Sequence, residues 1–229
     1  MAVNIVDRID DRTMIHHILV SVSDKSGLEE LVPSLIATIP DLTVYSTGGT
    51  FGAIQKILGD RWQRNLKQVS QYTGQPEMQG GLVKTLDFKV YLGLLSETYN
   101  PAHAEDLGRT GSIPIDMVIV NLYPFRETIS APSATVEHAR ANIDIGGPCM
   151  VRAAAKNFLR VASVTDPADY ADLATEIRDR EGSLSLATRF ELAKKAFAHT
   201  AGYDAAIAAY LAQQNHDEVA ACYSIQDKE

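Results

Sequence analysis

Between residues 18 and 58 the chain twice runs a short apolar stretch into a loop and then into apolar residues at helical spacing. Ile18-Leu-Val-Ser-Val22 has the β-branched, continuously apolar character of a buried strand. Ser23-Asp-Lys-Ser-Gly27 follows as a loop. Leu28, Leu31, Val32, Leu35 and Ile36 then recur on one helical face up to Pro40. The pattern repeats with a strand over Leu42 to Tyr45, a turn over Ser46-Thr-Gly-Gly-Thr50 and a helix over Phe51 to Leu58. Two strands with a helix between them cannot close as a hairpin, so the spacing predicts a parallel sheet covered by helices, an α/β fold.

Two further strands are predicted at Lys89 to Leu95 and at Met117 to Leu122. From about Ala131 alanine becomes frequent. Val136 to Ala141, Pro148 to Asn157, Pro167 to Asp179 and Ser185 to Leu211 read as helices, with one short strand at Arg160 to Ser163 between them. The expectation is a single domain over 1–229, with an α/β core over about 17–130, a mainly helical extension over about 131–212 and a polar, frayed tail over 213–229.

Bulk properties exclude several classes. A net charge of −8 lacks the clustered cations that a nucleic-acid backbone requires. It leaves room for one small anion in a local positive pocket. No apolar run approaches the roughly 18 residues of a membrane span, and Met1 to Ile15 has no signal-peptide h-region. Cys149 and Cys222 have no metal spacing and point to a reducing, cytoplasmic compartment. The six histidines form no HxxxH or HExxH pattern, so no metal is expected.

Several segments carry chemistry, each beside a plainer reading. Ser46 to Thr50 puts two glycines and flanking hydroxyls between a strand and a helix start, as a phosphate cradle does; it is also an ordinary strand-to-helix turn. Ser23 and Lys25 stand at a strand's C-terminal end, the rim where parallel sheets bind ligands; Lys25 also reads as a solvated lysine and Asp24 as a cap. Gly80-Gly81-Leu82-Val83-Lys84-Thr85-Leu86 sets a lysine in apolar company, costly unless an anion meets it; a snorkelling lysine is the alternative. Asn121-Leu-Tyr-Pro-Phe125 offers polar groups to a base edge or a carboxamide, or simply ends a strand. Asp144 lies between two isoleucines, where apolar surroundings raise a carboxyl's pKa and suit it to proton transfer; capping the helix at Pro148 is the other reading. Arg152 and Lys156 share a helix face.

These segments together resemble a known family. Ser21-Val-Ser-Asp-Lys-Ser-Gly27, Ser46-Thr-Gly-Gly-Thr50, Tyr72-Thr-Gly74 with Pro76-Glu-Met78, Val83-Lys-Thr-Leu86, Asn121-Leu-Tyr-Pro-Phe125, Asn142-Ile-Asp-Ile-Gly-Gly147, Arg152-Ala-Ala-Ala-Lys-Asn157 and Lys195-Ala-Phe-Ala-His-Thr-Ala201 occur in order. They resemble the IMP cyclohydrolase domain of the bifunctional purine-synthesis enzyme, over about residues 17 to 212. The resemblance implies a methylglyoxal-synthase-like parallel sheet with a helical C-terminal extension. It implies ring closure of 5-formamidoimidazole-4-carboxamide ribotide (FAICAR) to inosine monophosphate (IMP) with loss of water, and no cofactor. It carries Ser21, Ser23, Asp24, Lys25, Thr47, Gly48, Gly49 and Thr50 over to the ribotide and its phosphate. Val83, Lys84, Thr85, Asn121, Tyr123, Asp144, Ile145, Gly146 and Lys156 fall around the base, with Lys84, Tyr123, Asp144 and Lys156 as catalytic candidates.

A homodimer is implied, and so is a separate formyltransferase supplying FAICAR to a stand-alone cyclohydrolase. The chain departs from the family's usual Arg-Val-Lys-Thr-Leu-His-Pro, reading Leu82, Asp87 and Phe88 in place of Arg, His and Pro, and it has Tyr91-Leu92 where His-Gly is common. A non-catalytic phospho-ligand module of the same fold is the alternative, and methylglyoxal synthase a third reading. One geometric condition comes with the resemblance. A ten-residue helix from Pro148 is about 15 Å long, so Asp144 and Lys156 meet one substrate only if the chain folds back or Lys156 lies beyond the helix end.

Overall fold

The computed structural model describes residues 5–75 and 84–226. Its centre is a five-stranded, wholly parallel sheet in the order β4-β3-β2-β5-β6, formed by β2 (His17–Val22), β3 (Thr43–Ser46), β4 (Leu66–Gln68), β5 (Met117–Asn121) and β6 (Ala162–Val164). β2 and β5 pair in register from Ile18 opposite Met117 to Val22 opposite Asn121. A second, antiparallel ribbon pairs β1 (Arg12–Met14) with β7 (Ser183–Ser185).

Both sheet faces are covered, which explains the unbroken apolar runs. Ile18, Val20, Met117 and Ile119 point into one core with α1 (Leu28–Thr38), α2 (Gly48–Leu58) and α9 (Tyr170–Asp179). Leu19, Val118 and Val120 alternate to the other face. There they meet α4 (Phe88–Leu95), α8 (Gly146–Lys156) and the 26-residue α10 (Leu186–Leu211). The remaining helices are α3 (Val69–Thr73), α5 (Pro101–Thr110), α6 (Phe125–Ser130), α7 (Val136–Ala141) and α11 (His216–Ala220).

Three expectations change. Lys89 to Leu95 is not a strand but α4. Val90 and Leu94, four apart, are buried on one helical face, and the Asp87 carboxylate caps the helix by accepting the Lys89 N–H at 2.8 Å. Gly93 lets this helix lie against the Ile113 carbonyl, where a Cβ would collide. The boundary near 130 does not divide sheet from helices, because β6 completes the sheet from within the alanine-rich part. The polar tail contains α11, whose Asn215 and Glu218 form a reciprocal capping box.

One buried ion pair fixes the loops beneath the sheet. Arg160 pairs with Asp116 at 3.1 Å, both side chains 8% exposed. The other Asp116 oxygen accepts the His16 and His17 N–H groups at 2.8 and 2.9 Å. Asp116→Asn is expected to cost about 3 kcal/mol in urea unfolding, because it leaves the Arg160 cation buried without its counter-charge. An unchanged midpoint would refute this.

Candidate active site

The sheet order reverses at β2, whose neighbours β3 and β5 lead to opposite sides, and such switch points leave a crevice at the strands' C-terminal ends. A cleft of about 450 Å³ lies there, lined by Ser21, Val22 and Ser23 at the end of β2, Lys25 in the loop beyond it, Thr47 to Thr50 after β3, and Asn121 and Tyr123 at the end of β5. Lys84 to Leu86 and Ile143 to Gly147 complete it.

At one end α2 presents its first turn. Thr47 is the N-cap residue but makes no side-chain cap, and Gly48 and Gly49 are exposed. Gly48 has φ +49°, the left-handed region that favours glycine. The N–H groups of this turn and the partial positive charge of the helix end therefore face the cleft. Lys25 stands over them, its Cε 4.0 Å from where a Cβ on Gly49 would be, with Nζ 3.1 Å from the Ser23 carbonyl. Ser21 and Thr47 hydroxyls are 3.4 Å apart. This is an anion cradle built from two loops.

At the other end α8 begins, where the N-cap residue Ile145 makes no side-chain bond and the preceding Asp144 supplies one instead. Asp144 accepts the Gly147 N–H at 2.9 Å. Burial pushes its carboxyl above the ordinary carboxylate value, against the opposing pull of that hydrogen bond. The glycine pair permits the close approach. A Cβ on Gly146 would stand 2.6 Å from the Thr85 hydroxyl, and one on Gly147 would run into the Asp144 carboxylate and come within 2.7 Å of Leu122 Cδ2. Gly147→Ala is therefore expected to displace the carboxylate. It should cost about 1–3 kcal/mol of stability and lower any turnover in this cleft by more than about tenfold, read by thermal melting and steady-state kinetics.

Most sequence-predicted residues meet here: Ser21, Ser23, Lys25, Thr47, Gly48, Gly49, Thr50, Lys84, Thr85, Asn121, Tyr123, Asp144, Ile145 and Gly146 all line the cleft. Two have their polar groups committed to the scaffold. The Thr50 hydroxyl accepts the Val22 N–H at 3.1 Å and donates to the Val22 carbonyl at 3.0 Å. Asn121 Oδ1 accepts the Ser23 and Asp24 N–H groups at 2.7 and 2.9 Å, and its Nδ2 donates to the Asp24 carbonyl at 2.8 Å. These bonds stitch the β2 and β5 loops together; they occupy the amide oxygen twice and use one of its two N–H donors.

Asp24 is absent from the lining, because its carboxylate turns back onto the Ser26 N–H and hydroxyl, at 2.9 and 2.6 Å. Lys156 is absent too. It is exposed in the last turn of α8, whose eleven residues separate it from Asp144 by about 16 Å of helix. Val83, Leu82, the Gly80-Gly81 pair and Pro76 to Met78 lie outside the described residues. Asp87, the acidic departure, serves as the α4 cap and takes the Gln75 side-chain amide at 2.8 Å. Among the described residues no group of three or more His, Cys, Asp or Glu stands together as a metal site, and no helix is long and apolar enough to cross a membrane.

Sequence reasoning passed over Tyr203, which bonds the Asp144 backbone from α10. Its only sequence signal was an aromatic within an alanine-rich helix, which usually means core packing.

Residues 27–149, more than half of the chain, match the MGS-like domain family. Residues 154–229 match the AICARFT/IMPCHase bienzyme family. Curated relatives called bifunctional purine biosynthesis protein PurH include those of Leptospira biflexa, 45% identical over 84% of this chain, Neisseria meningitidis, 46% over 87%, and Sorangium cellulosum, 48% over 86%. The chain spans 36% of the length of each. Among solved structures, the crystal structure of ForH superposes with a TM-score of 0.71 at 30% identity, covering 85% of this chain and 97% of that one. The chain belongs to the MGS-like domain family, and what it matches in the bifunctional purine-synthesis proteins is their IMP cyclohydrolase domain.

Proposed function

We propose that this chain is an IMP cyclohydrolase of purine nucleotide synthesis, closing the ring of FAICAR to give IMP and water. The observation that carries the reading is one cleft with an anion cradle at one end and Lys84, Tyr123 and a desolvated Asp144 carboxyl toward the other. A ribotide phosphate suits the first turn of α2 with Lys25, leaving the base beside Asp144.

The carboxamide nitrogen attacks the formyl carbon of the same molecule. Amide nitrogens are weak nucleophiles, so holding both groups in one plane supplies much of the acceleration, about 7–11 kcal/mol in favourable cases. One proton leaves the attacking nitrogen, and Asp144 is assigned to take it. Lys84 and Tyr123 are assigned to the oxyanion of the tetrahedral intermediate. Asp144 passes that proton on to the oxyanion, and the resulting hydroxyl departs as water with the proton of the formamido nitrogen, leaving the new C=N bond and a free Asp144 carboxylate. No cofactor enters this balance.

A homodimer belongs to the proposal. Any part for Lys156 in the proton exchange goes with it, since the lysine would have to arrive from a second protomer. Mixing Lys156→Ala and Asp144→Asn chains tests this directly: recovery of about a quarter of the parent activity in the mixture supports a site shared across a two-fold interface, and no recovery removes Lys156 from the scheme.

The deciding assay is spectroscopic conversion of FAICAR to IMP by the purified chain without added metal or partner protein. Turnover is the expected result. Nucleotide binding by calorimetry without turnover would instead favour the non-catalytic phospho-ligand module. Methylglyoxal formed from dihydroxyacetone phosphate would favour the lyase.

A further inference from the structure

The turn that carries Asp144 is held from outside the cleft. The Asp144 N–H donates to the Tyr203 hydroxyl at 2.8 Å, and that hydroxyl donates to the Asn142 carbonyl at 3.4 Å. One phenol on α10 thus spans the turn, far along the chain from it. The same ring stands edge-on to Phe125, with centroids 6.2 Å apart. Phe125 is 2% exposed and directly follows Tyr123-Pro124. Through one side chain α10 therefore supports both the Tyr123 side and the Asp144 side of the cleft. Tyr203 falls in the 154–229 segment and Asp144 in the 27–149 segment, so the tether joins the two family-matched parts.

We propose that Tyr203 is a positioning residue, whose hydroxyl fixes the 142–144 turn so that the Asp144 carboxylate stays directed into the cleft. It touches no reacting atom. The kinetic consequence rests on the cyclohydrolase reading; the structural one does not. Phenylalanine would keep the ring on Phe125 but offer no acceptor, leaving the Asp144 N–H to water and the turn free to open. A carboxylate that relaxes toward solvent regains hydration, and its pKa returns toward the ordinary aspartate value. Among the described residues, Lys84, Tyr123 and Lys25 line the same cleft, and Tyr203 on α10 has Asp204 beside it.

The test compares Tyr203→Phe with Tyr210→Phe, since Tyr210 supports the same Phe125 ring at 5.9 Å. The first readout is the carboxyl carbon-13 titration of Asp144 in ligand-free protein. Its midpoint is expected to move down in Tyr203→Phe and stay in place in Tyr210→Phe. The second is FAICAR turnover, with kcat expected to fall about five- to tenfold in Tyr203→Phe, the size of one net hydrogen bond, and KM to stay within about twofold. An unmoved Asp144 midpoint in Tyr203→Phe overturns the proposal whatever the kinetics. A moved midpoint in Tyr203→Phe, where the parent chain does not close FAICAR, supports the tether and overturns the cyclohydrolase reading instead.

Discussion

Asp144→Asn is expected to lower kcat for ring closure by about 10²–10⁴-fold, the usual contribution of a positioned acid or base, with the fold retained. Asparagine keeps an oxygen for the Gly147 N–H, now 2.9 Å from Asp144 Oδ1, and leaves the backbone bond to Tyr203 intact. What it loses is proton affinity. The pH dependence of the parent enzyme carries the same signature. A base must be deprotonated to act, and burial raises this carboxyl, so kcat should rise with pH through a limb above the ordinary aspartate range. The stability effect has the opposite sign. Between the ordinary and the raised pKa the folded state holds the proton that the unfolded state has released, so this group's contribution to stability falls as pH rises through that window. Asp144→Asn is therefore expected to melt no lower than the parent at neutral pH while being nearly inactive. Turnover within about tenfold of the parent would remove Asp144 from the chemistry.

Arg189→Met is expected to cost at least about 4 kcal/mol and to leave little folded protein, against a total stability of about 5–15 kcal/mol for a typical chain. Arg189 is fully buried, and its guanidinium donates to five backbone carbonyls. They are Phe158 at 3.0 Å, Leu159 at 2.9 Å, Leu184 at 2.6 Å, Asp10 at 3.0 Å and Asp11 at 3.0 Å. One side chain thus pins the N-terminal segment, the approach to β6 and the β7 strand to α10. Methionine fills comparable space but strands those oxygens, each at a cost of about 1–3 kcal/mol if water cannot reach it. Arg189→Lys should recover only part of the loss, because an ammonium has three donors and no planar fork. Urea unfolding measures this; an Arg189→Met midpoint equal to the parent's would show that the carbonyls find other partners.

Much of the site is legible in the chain itself. The strand, glycine turn and helix order places Thr47 to Thr50 on the rim of the cleft, because parallel strands put all their C-terminal ends on one edge. Asp144 between isoleucines signals a desolvated carboxyl, and burial does raise it. Local rules fail where two readings share one composition. Phe88 to Leu95 satisfies a strand's apolar content, but packing Val90 and Leu94 on one face and capping at Asp87 make it a helix. Asn121 carries the groups to read a base, and folding adds a second task that no local pattern announces, its amide oxygen accepting the Ser23 and Asp24 N–H groups.

Local chemistry along the chain was enough to specify a parallel sheet, its strands β2, β3 and β5 and the rim that their C-terminal ends form, though not β4, because strand period, helix period and glycine conformation are properties of neighbouring residues. Which rim residues face one another was settled by the packing of distant elements. Lys156 went to the far end of α8, because a helix advances a fixed distance per residue. Asp24 turned back onto Ser26, and Tyr203 reached Asp144 across fifty-nine positions. Such contacts depend on how α10 crosses the sheet, which no local pattern encodes.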